Sequence, residues 1–137
     1  MSNVAMIIGA SGGLGQAVTE ALTSDGWRVV LVTRNLNRLV QRRARQDSHW
    51  VESDASTPEG ASAAIERCTD LTGQPPAVLV NCAGSVLLKP LHRTSAQQFR
   101  DCLAANLDTS FYSLQAFVSA CLNARQPGSA VLVSSVT

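Results

Sequence analysis

Short apolar runs recur along the chain, and between them apolar residues fall at helical spacing. Residues 4–8 (VAMII) are apolar throughout and meet the glycines of "GASGGLG" at 9–15. Residues 27–33 (WRVVLVT), 49–53 (HWVES), 77–81 (AVLVN) and 130–133 (AVLV) repeat the short-strand pattern. Runs that are continuous rather than alternating mark strands covered by helices on both faces.

The intervening segments read as helices. Leu14, Val18, Ala21 and Leu22 share one face of a helix ended by Gly26. Asn35 caps a second, with Leu36, Leu39, Val40 and Ala44 on its stripe. Thr57 caps a third, Pro58 takes its first position, and Glu59 sits at the positive end of the dipole. Ala61, Ala64, Ile65, Cys68 and Leu71 continue that stripe to "GQPP". Ser95 opens a long helical region reaching about Ala124, with a break expected near Leu107. Its apolar stripe is Leu103, Leu107, Phe111, Leu114, Val118 and Cys121.

Strand and helix therefore alternate through five strands, and crossover length and handedness require a parallel sheet. The expected fold is α/β: a Rossmann-like three-layer architecture, with a parallel sheet of about five strands in the order 3-2-1-4-5. It forms one domain over 1–137, without linker, low-complexity tract or longer repeat.

Charge adds little to this picture. Eleven basic and ten acidic residues leave a net charge of +1, which gives no reason to expect a nucleic-acid or anionic-membrane partner. The N-terminal stretch has no basic region, and no segment is long enough to span a bilayer, so a cytoplasmic protein is expected. Cysteines at 68, 82, 102 and 121 lack metal-ligand spacing and read as buried thiols, so no metal site is expected.

The chemistry lies in the strand-to-helix turn. Gly9, Gly12, Gly13 and Gly15, with Ser11 and Leu14 between them, join a buried strand to a helix. Such glycines permit a tight turn, close approach of a pyrophosphate, and close helix–strand packing; the helix amides then face the phosphates. A dinucleotide is the ligand this turn predicts.

The same residues resemble a known family. Gly9, Gly13 and Gly15 fit the T-G-x-x-x-G-x-G loop of short-chain dehydrogenases/reductases, with Ile8 where Thr is usual. Gly9, Gly12 and Gly15 equally fit the G-x-x-G-x-x-G form of the family's extended branch. "VNCAG" at 80–84 resembles the classical branch's N-N-A-G, matching at Asn81, Ala83 and Gly84 and departing at Cys82. "SAQQFRDCLAANL" at 95–107 resembles the segment leading to the family's catalytic Asn, which falls on Asn106. "GSAVLVSS" at 128–135 resembles G-x-I-V-N-I-S-S, which places the catalytic Ser at Ser135.

The resemblance implies a carbonyl or alcohol substrate. Ser135 would polarise the carbonyl, Asn106 would help hold a water of a proton relay, and Asp54 would accept from the adenine amino group. It also bears on the cofactor. The tip of the second strand reads Thr33-Arg34 without a carboxylate, and Arg38 follows one turn on, a pattern resembling NADP-preferring members. A guanidinium pairs well with a 2′-phosphate. NAD is the alternative, because Gly12 stands where many NADP-preferring relatives carry a basic residue. Arg42, Arg43 and Arg45 read as a solvated face.

One part of the family pattern is absent. The acid/base Tyr of a Tyr-x-x-x-Lys pair should follow about a dozen residues after Ser135. The only tyrosine is Tyr112, with Ala116 four residues on, and the only lysine is Lys89. The 137 residues are therefore expected to be the N-terminal half of an oxidoreductase, lacking its last strands and inactive alone. The alternatives are a non-catalytic dinucleotide-binding protein or an interaction module. In relatives the long helix packs against its copy, which implies a homo-oligomer through that helix.

Overall fold

The computed structural model describes residues 3–38 and 48–135. The strands are β1 (Val4–Ile8), β2 (Arg28–Thr33), β3 (Ser48–Glu52), β4 (Val78–Asn81) and β5 (Ser129–Leu132). The helices are α1 (Gly13–Ser24), α2 (Pro58–Thr72), α3 (Ala96–Leu103) and α4 (Thr109–Ala124). A π-helical segment, Ala104–Asp108, joins α3 to α4. Of the helix expected at 35–46, Leu36–Arg38 forms a 3₁₀ turn; the side chain of Arg38 and residues 39–47, with Arg42, Arg43 and Arg45, lie outside the described residues.

The sheet is parallel in the order β3-β2-β1-β4-β5, as the alternation of elements predicted. Alternating side chains divide its core into two layers. Val4, Met6 and Ile8 of β1 pack with Val30, Val32 and Leu79 beneath α2 and α4, which add Ile65, Cys68, Phe117 and Cys121. Ala5 and Ile7 face the other way, with Val29, Leu31 and Val80, toward Val18 and Leu22 of α1.

Helix starts follow local chemistry. Thr57 accepts from the Gly60 amide at 3.0 Å, with Pro58 at the first turn of α2. Ser95 and Gln98 form a reciprocal capping box on α3. The helix faces differ from the sequence reading in two places. In α1 the buried residue is Gly15, while Leu14 is half exposed and Ala21 exposed. A Cβ at Gly15 would lie 2.5 Å from Gly9 O, so the helix seats on its glycine and turns Leu14 outward.

In α4 the buried residues are Thr109, Ser113, Phe117 and Cys121. Of the expected stripe, Cys121 is buried and Leu114 packs on the core, while Leu103, Leu107, Phe111 and Val118 are exposed. This helix is apolar on much of its circumference, so periodicity does not select its buried face. Toward the sheet the helix presents the small Thr109, Ser113 and Cys121 with the single aromatic Phe117, and it leaves Leu107, Phe111 and Val118 outside. Strand β5 pairs with β4, and all four of its residues are exposed.

Candidate functional site

The strand order reverses between β1 and β4, and a crevice opens at the carboxyl ends of these strands. An open cleft of about 430 Å³ lies there, lined by the first turn of the chain, the tip of β2, the Ser53–Ser56 stretch and the turn after β4. Gly9, Ser11, Gly12, Arg34, Asp54, Ala83 and Gly84 all reach it.

Gly9 has φ +72°, and a Cβ there would lie 2.6 Å from Ala83 N. The amides of Gly9 and Ala10 both donate to Val32 O, at 3.1 and 3.3 Å, fastening the loop to β2. Gly12 is the N-cap of α1 and offers no side-chain acceptor, and the first turn has no acidic residue. The first amides of Gly13, Leu14 and Gly15 thus lack the side-chain cap that α2 and α3 possess. A helix start of this kind accepts an anion. The close glycine turn and the uncapped amides fit a pyrophosphate.

At the tip of β2, Thr33 is buried, its hydroxyl 3.4 Å from Ser11 Oγ, and it accepts from the Asn35 amide at 3.4 Å. Arg34 is exposed on the cleft rim. The neighbouring Glu52 carboxylate accepts from the Leu36 amide at 2.9 Å. Asp54 reaches the cleft with its Oδ1 accepting from Ser56 N at 3.0 Å and Ser56 Oγ at 2.6 Å.

The turn after β4 is held by two asparagines. Asn81 is buried; its Oδ1 accepts from Ala83 N at 3.0 Å and its Nδ2 donates to Ser110 Oγ at 2.9 Å. Asn106, in the π segment, accepts from Ser85 N at 3.1 Å through Oδ1. Its Nδ2 donates to Ser85 O and to Cys102 O, each at 2.9 Å. A Cβ at Gly84 would lie 2.8 Å from Asn106 Oδ1, so the asparagine packs against a lining residue without lining the cleft itself. Half-buried Cys82 lines the cleft, and burial raises its thiol pKa.

Ser135 is exposed just beyond β5, at the same carboxyl edge of the sheet but outside the cleft lining. Gly13, Leu14 and Gly15, at the start of α1, and buried Asn81, at the end of β4, are likewise outside the cleft lining. The sequence reading missed Ser53, Ser56, Ala105 and Thr109 as lining residues, and Ser110 as the partner of Asn81. Thr109 and Ser110 stand three and four positions after Asn106, one helical turn away, the spacing that places them near it.

A parallel sheet with a glycine turn at its switch point and an uncapped helix behind it defines a Rossmann-like nucleotide fold. The short chain dehydrogenase family model matches residues 3–137, and the chain belongs to that family. A tropinone reductase homologue of Arabidopsis thaliana is 33% identical over 141 residues, covering 96% of this chain and 52% of its own length. The galactitol 2-dehydrogenase (L-tagatose-forming) of Cereibacter sphaeroides is 28% identical, covering 97% of this chain and 52% of its own length. The chain thus spans about half the length of these relatives.

The fold recurs in a short-chain dehydrogenase structure from Streptomyces avermitilis, with TM-score 0.84 and 24% identity over 98% of this chain and 50% of the other. It recurs also in the Thermoplasma acidophilum aldohexose dehydrogenase, with TM-score 0.78 and 23% identity over 93% of this chain and 48% of the other. No helix among the described residues is long and apolar enough to cross a membrane.

Proposed function

We propose that the chain is the cofactor-binding part of an NADP(H)-dependent oxidoreductase that interconverts a carbonyl and an alcohol on a small molecule. The observation that carries this reading is the glycine turn: Gly9 seated against Ala83, with the uncapped start of α1 behind it. Gly9, Gly12 and Gly13 leave the backbone close to a pyrophosphate, and the amides at the head of α1 bind it. Arg34 is the one cation among the described lining residues and takes the 2′-phosphate. Asp54 accepts from the adenine amino group. Ala83 and Gly84, held by Asn81, leave room for the adenosine.

The nicotinamide of such a cofactor gives or takes the hydride. Ser135 donates its hydroxyl proton in a hydrogen bond to the substrate carbonyl, and Asn106 orders the loop that follows β4. Tyr112 has no lysine four residues on, and its ring lies edge-on to Phe111 at 5.4 Å. It is an aromatic of the outer helix face rather than the acid/base. These 137 residues contain no Tyr-x-x-x-Lys pair, so in this reading the chain alone binds cofactor without turning it over. That same feature supports the second reading, a dinucleotide-binding protein with no catalysis of its own. The exposed apolar face of α4 serves self-association.

Titration calorimetry with NADPH and NADH tests the proposal. NADPH is expected to bind the more tightly. Equal affinities would remove the NADP preference, and no binding of either would overturn the reading.

A further inference from the structure

The turn at 82–85 hangs from two asparagines on different elements, and one hydroxyl joins them. Asn81, at the end of β4, holds Ala83 N; Asn106, in the π segment, holds both backbone groups of Ser85. Ser110 Oγ donates to Asn106 O at 3.1 Å and accepts from Asn81 Nδ2 at 2.9 Å. A hydroxyl has one proton, so these two bonds fix its orientation.

We propose that Ser110 is a positioning residue for cofactor binding: it locks Asn81 to the Asn106 segment and so sets the height of the turn against Gly9. The inference rests on the dinucleotide reading above. Ser110 touches no ligand in this scheme. It acts through Ala83, whose amide nitrogen would lie 2.6 Å from a Cβ at Gly9, a fit that leaves little slack in the phosphate loop. Loss of the hydroxyl leaves buried Asn81 Nδ2 without this acceptor and frees the Asn81 amide to rotate away from Ala83.

The test is NADPH affinity, by fluorescence titration of the 137-residue chain, with thermal melting recorded beside it. Ser110→Ala is expected to weaken binding about three- to tenfold, the range for one lost hydrogen bond. Ser110→Thr is expected to retain affinity and the near-isosteric Ser110→Val to lose it, a comparison that holds volume constant if the alanine variant folds poorly. Ser113→Ala, one turn on, removes a buried hydroxyl with no partner and is expected to leave affinity unchanged. Unaltered NADPH binding in folded Ser110→Ala, or equal loss in Ser110→Thr and Ser110→Val, overturns the proposal. Equal loss in Ser113→Ala does so as well, because helix packing alone would then explain it. Failure of the unmodified chain to bind either NADPH or NADH instead overturns the dinucleotide reading, and this inference with it.

Discussion

Asn106 grips Ser85 from both sides of its peptide backbone, accepting from N at 3.1 Å and donating to O at 2.9 Å. The amide side chain acts as a strand residue would, pairing with one residue of a loop that has no strand partner. A third bond, to Cys102 O, anchors it to the preceding helical turn.

Asn106→Asp places a carboxylate oxygen against the carbonyls of Ser85 and Cys102 in place of a donor. The expected loss is about 1–2 kcal/mol, seen as a lower urea midpoint at neutral pH. An unchanged midpoint would show that the grip adds nothing to folding.

The glycines of the turn separate by steric demand. Gly9→Ala combines a positive φ with a Cβ 2.6 Å from Ala83 N, and soluble expression should fall sharply. Gly12→Ala meets nothing closer than Gly9 O at 3.6 Å and should melt within a few degrees of the unmodified chain. Gly12→Arg should also fold and should raise the preference for NADPH over NADH, since the position lines the cleft. Circular dichroism and calorimetry read these outcomes.

Arg34→Ala should weaken NADPH roughly tenfold, the value of a charge-assisted hydrogen bond, and leave NADH nearly unchanged. The NADPH advantage of the unmodified chain should shrink as salt rises. A parallel loss for both nucleotides would remove Arg34 from the 2′-phosphate.

Burial pushes the Cys68 thiol from near 9.0 up to about 12, against smaller lowering effects of Thr72 and Arg28. Below pH 9 the thiol is neutral folded or unfolded and has no effect on the pH dependence. Between about pH 9 and 12 only the unfolded chain ionises it, so stability is lost as pH rises, by up to about 1.4 kcal/mol per pH unit. Urea melts from pH 8 to 10.5 should show this decline. Cys68→Ala should start less stable and decline less steeply; an identical slope would assign the alkaline loss elsewhere.

Leu107, Phe111 and Leu122 are 61%, 58% and 71% exposed along the outer side of the long helical region. The self-association proposed above would bury this stripe. Phe111→Glu and Leu122→Glu should shift sedimentation toward the monomer at micromolar concentration while leaving the melting temperature nearly unchanged. A chain already monomeric before substitution would refute association through this face.

Much of this was legible in the residues. Short runs rich in apolar residues defined the strands to within one residue, while Thr57 and Ser95 marked helix starts through their capping hydrogen bonds and Pro58 through its fixed backbone angle. The glycine turn revealed the cleft because few other residues fit so close to Ala83. The faces of α1 and α4 were not legible. Gly15 carries no hydrophobic signal yet decides where α1 sits, and α4 offers apolar residues in most directions. The bracing role of Ser110 depends on a neighbour 29 positions away, a distance over which local pattern carries no information.

The π segment has a consequence for the phase of the helix that contains it. Thr109 N–H bonds to Ala104 O, five residues back rather than four, so the segment holds one residue more than a regular turn. Each helical residue turns the axis by about 100°. Removing one residue from 104–108 would restore an ordinary helix and swing the α3 side out of phase with α4 by about that angle. Thr109, Ser113, Phe117 and Cys121 could still face the sheet, but Asn106 would then point away from Ser85. The wide turn is thus an angular offset written into the chain, letting one continuous rod pack against the sheet along one length and present an amide to a loop along another.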